Sequence, residues 1–303
     1  MMDMKVNIAG VVLNNPVITA SGTYGFGREY GELYSLDELG AICVKGLTLK
    51  PREGNPPPRI AETYGGILNS VGLQNPGVDM FIKAEIPLLK QYKCKIIANM
   101  AGSTVEEYCE MAERLSDSEV DMLEMNISCP NVKEGGVAFG TNAKTIHKIT
   151  AEVKKYAKKP LIVKLSPNVT DITEMARAAE AGGADALSLI NTFLGMAIDI
   201  HTRRPILANT VGGLSGPAVK PVAVRMVYQV RKAVKLPLIG MGGIVNGGDA
   251  VEFMLAGADA VAVGTANFMN PYACVTVKQG IQEYMKNNQI ETVSQLSGAV
   301  IDN

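Results

Sequence analysis

The sequence predicts an α/β fold, a closed (β/α)8 barrel of the TIM type. Three observations predict it. Eight short, continuously apolar segments recur along the chain. A polar or glycine-rich turn follows each, and helical stretches separate most of them. Unbroken apolarity is expected of strands covered on both faces. Alternation of strand and helix builds right-handed parallel units, and eight such units in about 250 residues is the size of a barrel. A doubly wound open sheet competes, but no G-x-G-x-x-G follows the first strand. Neither a linker nor a low-complexity tract interrupts the pattern, so residues 1–303 read as a single domain.

In order, residues 5–13 predict an N-terminal β-hairpin turning at Ala9-Gly10. The eight strands follow: 16–20, 41–44, 95–98, 121–127, 160–163, 185–190, 236–239 and 259–263. Helices are expected over 104–116, 142–158, 171–181, 217–234, 248–256 and 271–287. The first of these opens on a capping-box spacing, Ser103 or Thr104 followed by Glu106 and Glu107. Three connections are too long for simple turns: 47–77, 128–141 and 192–216. They follow strands 2, 4 and 6, on the side where barrels carry their active sites, and long loops in compact domains are usually functional.

Composition narrows the class. The chain has 303 residues, 47% hydrophobic, with a formal charge of −1. It carries no basic excess for nucleic acid, no run of ~20 apolar residues to span a membrane and no signal-peptide core. The five cysteines, 43, 94, 109, 129 and 274, lack C-x-x-C spacing. That argues for a reducing, cytoplasmic location and against a metal or iron–sulfur site in this chain. The two histidines, 147 and 201, lie in a polar helix and a long loop and are poor candidates for a general base.

The residues leaving the strands are Ser21, Lys45, Asn99, Asn126 with Cys129, Lys164, Asn191, Gly242-Gly243 and Gly264-Thr265. Barrel closure brings them to one mouth: lysines, amides and a thiol, with no carboxylate among them. An isolated thiol is more often a small buried hydrophobe. The polar neighbours of Cys129 in Asn126-Ile-Ser-Cys-Pro-Asn131 argue for a ligand-filled pocket instead. Glycine turns after strands seven and eight are a common phosphate cradle, and Asn246-Gly247-Gly248 adds a flexible helix entry. If the phosphate belongs to a flavin mononucleotide, Asn99 and Asn126 suit its ring or ribityl chain. Lys164 then suits the negative charge of the reduced ring. Without a flavin, Lys164 would be a Schiff-base lysine in a phosphosugar lyase or isomerase.

Several stretches resemble class 1 dihydroorotate dehydrogenases. They are Lys45 to Arg59, Leu68-Asn-Ser-Val-Gly-Leu-Gln-Asn-Pro-Gly77, Asn126-Ile-Ser-Cys-Pro-Asn131, Val163-Lys-Leu-Ser-Pro167, Gly213-Leu-Ser-Gly-Pro217, Gly240-Met-Gly-Gly243 and Val263-Gly-Thr265. The resemblance implies an FMN barrel oxidising (S)-dihydroorotate to orotate in pyrimidine synthesis. It implies Cys129 as the base for the C5 proton and hydride transfer from C6 to FMN, with Lys45 and Lys164 also catalytic. Substrate would be held by Lys45, Asn69, Ser70, Val71, Gly72, Leu73, Asn126, Asn131, Asn191 and Thr192. FMN would be held by Ser21, Lys45, Gly46, Asn99, Asn126, Lys164, Ile190, Gly216, Gly242, Gly243, Gly264 and Thr265.

The membrane-bound branch of that family uses serine as the base, whereas this chain has Cys129. The stretch Asn191 to Pro205 resembles the NAD-linked type, whose catalytic chain pairs with an electron-transfer subunit carrying FAD and a [2Fe-2S] cluster. That type implies a homodimer of this chain within a heterotetramer. The alternatives are the fumarate-linked type and, further off, a dihydrouridine synthase-like flavin barrel, against which the near-neutral charge counts.

Overall fold

The computed structural model describes residues 2–127 and 139–302. All eight expected strands form, and they close into a parallel barrel. They are β1 (Val17–Thr19), β2 (Ala41–Cys43), β3 (Lys95–Met100), β4 (Met122–Asn126), β5 (Leu161–Lys164), β6 (Ala186–Leu189), β7 (Leu238–Met241) and β8 (Ala260–Val263). Each pairs with its sequence neighbour, and β8 pairs with β1 to complete the ring. Strand residues are buried almost throughout because helices cover the outside and side chains fill the inside.

The six expected helices are α1 (Val105–Ser116), α2 (Ala143–Lys154), α3 (Ile172–Ala181), α4 (Lys220–Ala233), α5 (Gly247–Ala256) and α6 (Ala273–Asn287). The Thr104 hydroxyl caps α1, accepting from the Glu107 N–H at 3.2 Å, while the Glu107 carboxylate accepts from the Ser103 N–H. Helical turns over Val78–Leu89, including a π-helical stretch at Phe81–Glu85, were not expected from the sequence. Their apolar positions Val78, Phe81, Ile86 and Leu89 are buried. Pro87 obscures the helical pattern in the sequence.

The helix entry at Asn246 is capped from both sides. Asn246 and Asp249 form a reciprocal capping box on α5. Gly247 is glycine because α6 crosses it there. A Cβ built on Gly280 would lie 2.7 Å from the Gly247 Cα. Gly280→Ala is therefore expected to destabilise the protein by about 1–3 kcal/mol through overpacking, read from urea unfolding. An unchanged unfolding midpoint would show that the two helices can move apart freely.

The N-terminal hairpin pairs Val6–Ile8 with Val11–Leu13, as expected. The long connections after β2 and β6 do not stay separate. Ile60–Thr63, Gly66–Asn69, Gly212–Ser215 and Phe193–Gly195 join, in that spatial order, into one four-stranded antiparallel sheet. This sheet carries Asn69 and Ser215 to the C-terminal mouth of the barrel. Most of the connection after β4 lies outside the described residues.

Candidate active site

One cavity of about 200 Å³ opens at the C-terminal ends of the strands. Six strand ends reach it, through Ser21 (β1), Lys45 (β2), Lys164 (β5), Asn191 (β6), Gly243 (β7) and Thr265 (β8). Asn69, Val71, Ile190, Thr192, Gly216, Gly242 and Gly264 also line it. Gly46, Asn99 and Asn126 are not among the residues that line it. Ser70, Gly72 and Leu73 do not line it either. Their segment is held by Asn55 and Asn75, whose side-chain Nδ2 groups donate to the carbonyls of Ser70 at 2.8 Å and Leu73 at 2.6 Å. Cys129 and Asn131 lie outside the described residues.

The floor of the mouth holds a group that the sequence reading excluded. Glu124, in the middle of β4 and 2% exposed, is a buried carboxylate among the strand-end groups. Its Oε1 accepts from Asn99 Nδ2 at 2.6 Å and Cys43 Sγ at 3.3 Å, and lies 3.7 Å from Lys164 Nζ. Its Oε2 accepts from Ser188 Oγ at 2.7 Å. Register explains the meeting: Asn99 sits beside Glu124 across β3–β4, and Ser188 beside Lys164 across β5–β6. Burial, and then the adjacent carboxylate, push the Cys43 thiol well above the usual range, so it stays protonated and donates. A charged residue inside the apolar run Met122-Leu-Glu-Met125 was the signal available in the sequence. Period-two alternation puts it on the same face as Asn126.

Lys164 Nζ also donates to Ser21 Oγ at 3.2 Å. The Asn191 amide donates to Asn126 Oδ1 at 3.1 Å and accepts the Thr192 N–H at 2.8 Å. The Thr265 hydroxyl donates to Ser215 Oγ at 2.9 Å, tying β8 to the added sheet. Ser215 was not singled out from the sequence.

The glycines divide into two kinds. At Gly243, φ is +88° and a Cβ would stand 2.8 Å from the Gly216 carbonyl oxygen, so chain packing alone demands glycine there. Gly264 differs: a Cβ there would meet nothing closer than Ala20 Cβ at 3.4 Å. His147 and His201 are both exposed and neither lines the cavity.

Among the described residues, no helix is long and apolar enough to cross a membrane. The family model for dihydroorotate dehydrogenase matches residues 3–285. A relative from Alkaliphilus metalliredigens, named dihydroorotate dehydrogenase B (NAD(+)), catalytic subunit, is 64% identical over 299 residues, covering 99% of each chain. A relative of the same name from Geotalea uraniireducens is 56% identical over 300 residues, covering 99% of this chain and 98% of its own. The crystal structure of the Eimeria tenella enzyme with ferulenol superposes with a TM-score of 0.80. It is 23% identical and covers 98% of this chain and 88% of that one, a likeness of fold. With the family model spanning most of its length and near relatives matching end to end, this chain belongs to the dihydroorotate dehydrogenase family.

Proposed function

We propose that this chain is the FMN-bearing catalytic subunit of an NAD-linked dihydroorotate dehydrogenase. It oxidises (S)-dihydroorotate to orotate and passes the electrons to a partner subunit carrying FAD and an iron–sulfur cluster. The observation that carries the reading is the convergence of two lysines, the Asn191 amide and the Ser21 and Thr265 hydroxyls from five strand ends, with Asn69 from the added sheet, on one cavity. Two features suit a bound FMN. Asn99 Oδ1 is buried without a hydrogen-bond partner among the described residues, an arrangement that calls for an outside donor. Gly264 also leaves room that the chain does not fill.

When bound, FMN supplies a two-electron acceptor for the hydride leaving C6 of the substrate. The chain's own residues do the rest. Lys164, fixed by Ser21 and Glu124, holds positive charge where negative charge arrives with the electron pair. Lys45 offers a cation to the substrate carboxylate. Asn69 and Asn191 present donors and acceptors to the ring amides. Thr265 and the turns at Gly243 and Gly264 suit the FMN phosphate. Cys129, the base that the family resemblance implies, takes the C5 proton.

The test is purification from the native cell. A yellow chain whose flavin bleaches anaerobically with dihydroorotate is expected, together with a co-purifying FAD and iron–sulfur subunit that reduces NAD. A colourless chain, or one that does not bleach, overturns the reading. Turnover by the isolated chain with fumarate overturns the choice of acceptor.

A further inference from the structure

Glu124 does not line the cavity, yet it touches two groups proposed to hold FMN. An ionised carboxylate only accepts hydrogen bonds. The side of the Asn99 amide that faces it must therefore be Nδ2, and the bond is short at 2.6 Å. Oδ1 is then forced to the other side, against Gly46. A Cβ at Gly46 would stand 2.9 Å from that oxygen, so glycine keeps the approach clear. Oδ1 is buried there with no partner among the described residues. Without Glu124, the amide would be free to turn over and offer a donor where an acceptor now stands. The same carboxylate oxygen lies 3.7 Å from Lys164 Nζ, so one group sets the direction of the amide and of the ammonium.

We propose that Glu124 is a positioning residue, which makes Asn99 a pure acceptor toward the bound cofactor and so selects an N–H donor on its ring. This rests on the reading of the site as an FMN site. Its mark is energetic coupling between two residues, only one of which meets the ligand.

The test measures FMN affinity of the full chain by fluorescence titration at pH 8, with the thermal midpoint of the FMN-free protein recorded for each variant. Glu124→Leu is expected to weaken FMN by about tenfold or more, because a charge-assisted bond that fixes Asn99 is lost. Asn99→Ala should cost about tenfold in the native background, but less than about threefold when added to Glu124→Leu. Glu124→Gln should keep affinity within about threefold. Its amide oxygen still accepts from Asn99, and its NH2 donates to Ser188, whose hydroxyl can turn to accept.

Should Glu124→Leu fail to fold, a charge exchange serves instead. Asn99→Asp alone sets two carboxylates face to face and should lose FMN affinity, and Glu124→Gln combined with Asn99→Asp should recover it at least tenfold. Additive effects, a Gln variant as weak as the Leu variant, or no recovery in the exchange overturn the proposal. A native chain that binds no FMN brings down the site reading with it, whereas tight native binding with additive variants brings down this inference alone.

Discussion

Cys129→Ala is expected to retain FMN and to reduce it with dihydroorotate about 10²–10⁴-fold more slowly, the usual contribution of a positioned general base. The described cavity lining contains no histidine, aspartate or glutamate. Glu124 accepts from three neutral donors and sits behind the lining, so it has no clear access to a substrate proton. Lys164 is engaged by Ser21 and Glu124. The base that the family resemblance implies, Cys129, is compatible with this lining.

A free thiol titrates near ~8.5, and neighbouring cations lower that value, so a mouth bearing two lysines favours the thiolate. A base works deprotonated. The native rate should therefore climb with pH through the thiol's titration, and the climb should vanish in Cys129→Ala. Cys129→Ser should fall below the native enzyme, because a hydroxyl is far harder to ionise. Stopped-flow bleaching of the flavin reads each case, and a near-native rate in the alanine variant would rule Cys129 out as the base.

The second large effect is on stability. Lys164→Met should destabilise the FMN-free protein by about 3 kcal/mol, since removing one partner leaves a buried charge uncompensated. The side chains of Lys164 and Glu124 are 6% and 3% exposed, so the pair is screened little by solvent. The donors on Asn99, Ser188 and Cys43 soften the loss without supplying a countercharge. Adding Glu124→Gln removes the stranded charge and should restore most of the stability. FMN affinity should stay low in that double variant, because the cation is still missing. Urea unfolding beside flavin titration separates the two effects. A Lys164→Met protein as stable as the native one would show that the pair contributes nothing to folding.

Much of this was legible in the sequence. A strand buried on both faces must be apolar along its length, so all eight barrel strands could be found from local pattern alone. The residue that ends such a strand is just as local, which is why Ser21, Lys45, Lys164, Asn191 and Thr265 could be named before any coordinates. Glu124 was missed because it sits inside an apolar run, where a charge reads as noise until four other strands bring it partners. The Val78–Leu89 turns were missed because Pro87 interrupts their period.

The chain order thus determined the barrel, the polar ring at its mouth and the family. Only the tertiary structure decided that the loops after β2 and β6 combine into one sheet, and that packing already accounts for Gly243. It also decided that a buried carboxylate underlies the lysine. Periodicity and strand ends are properties of neighbouring residues. Sheet partners, steric need and charge pairing belong to residues far apart in the chain, and closure of the barrel is what makes them neighbours.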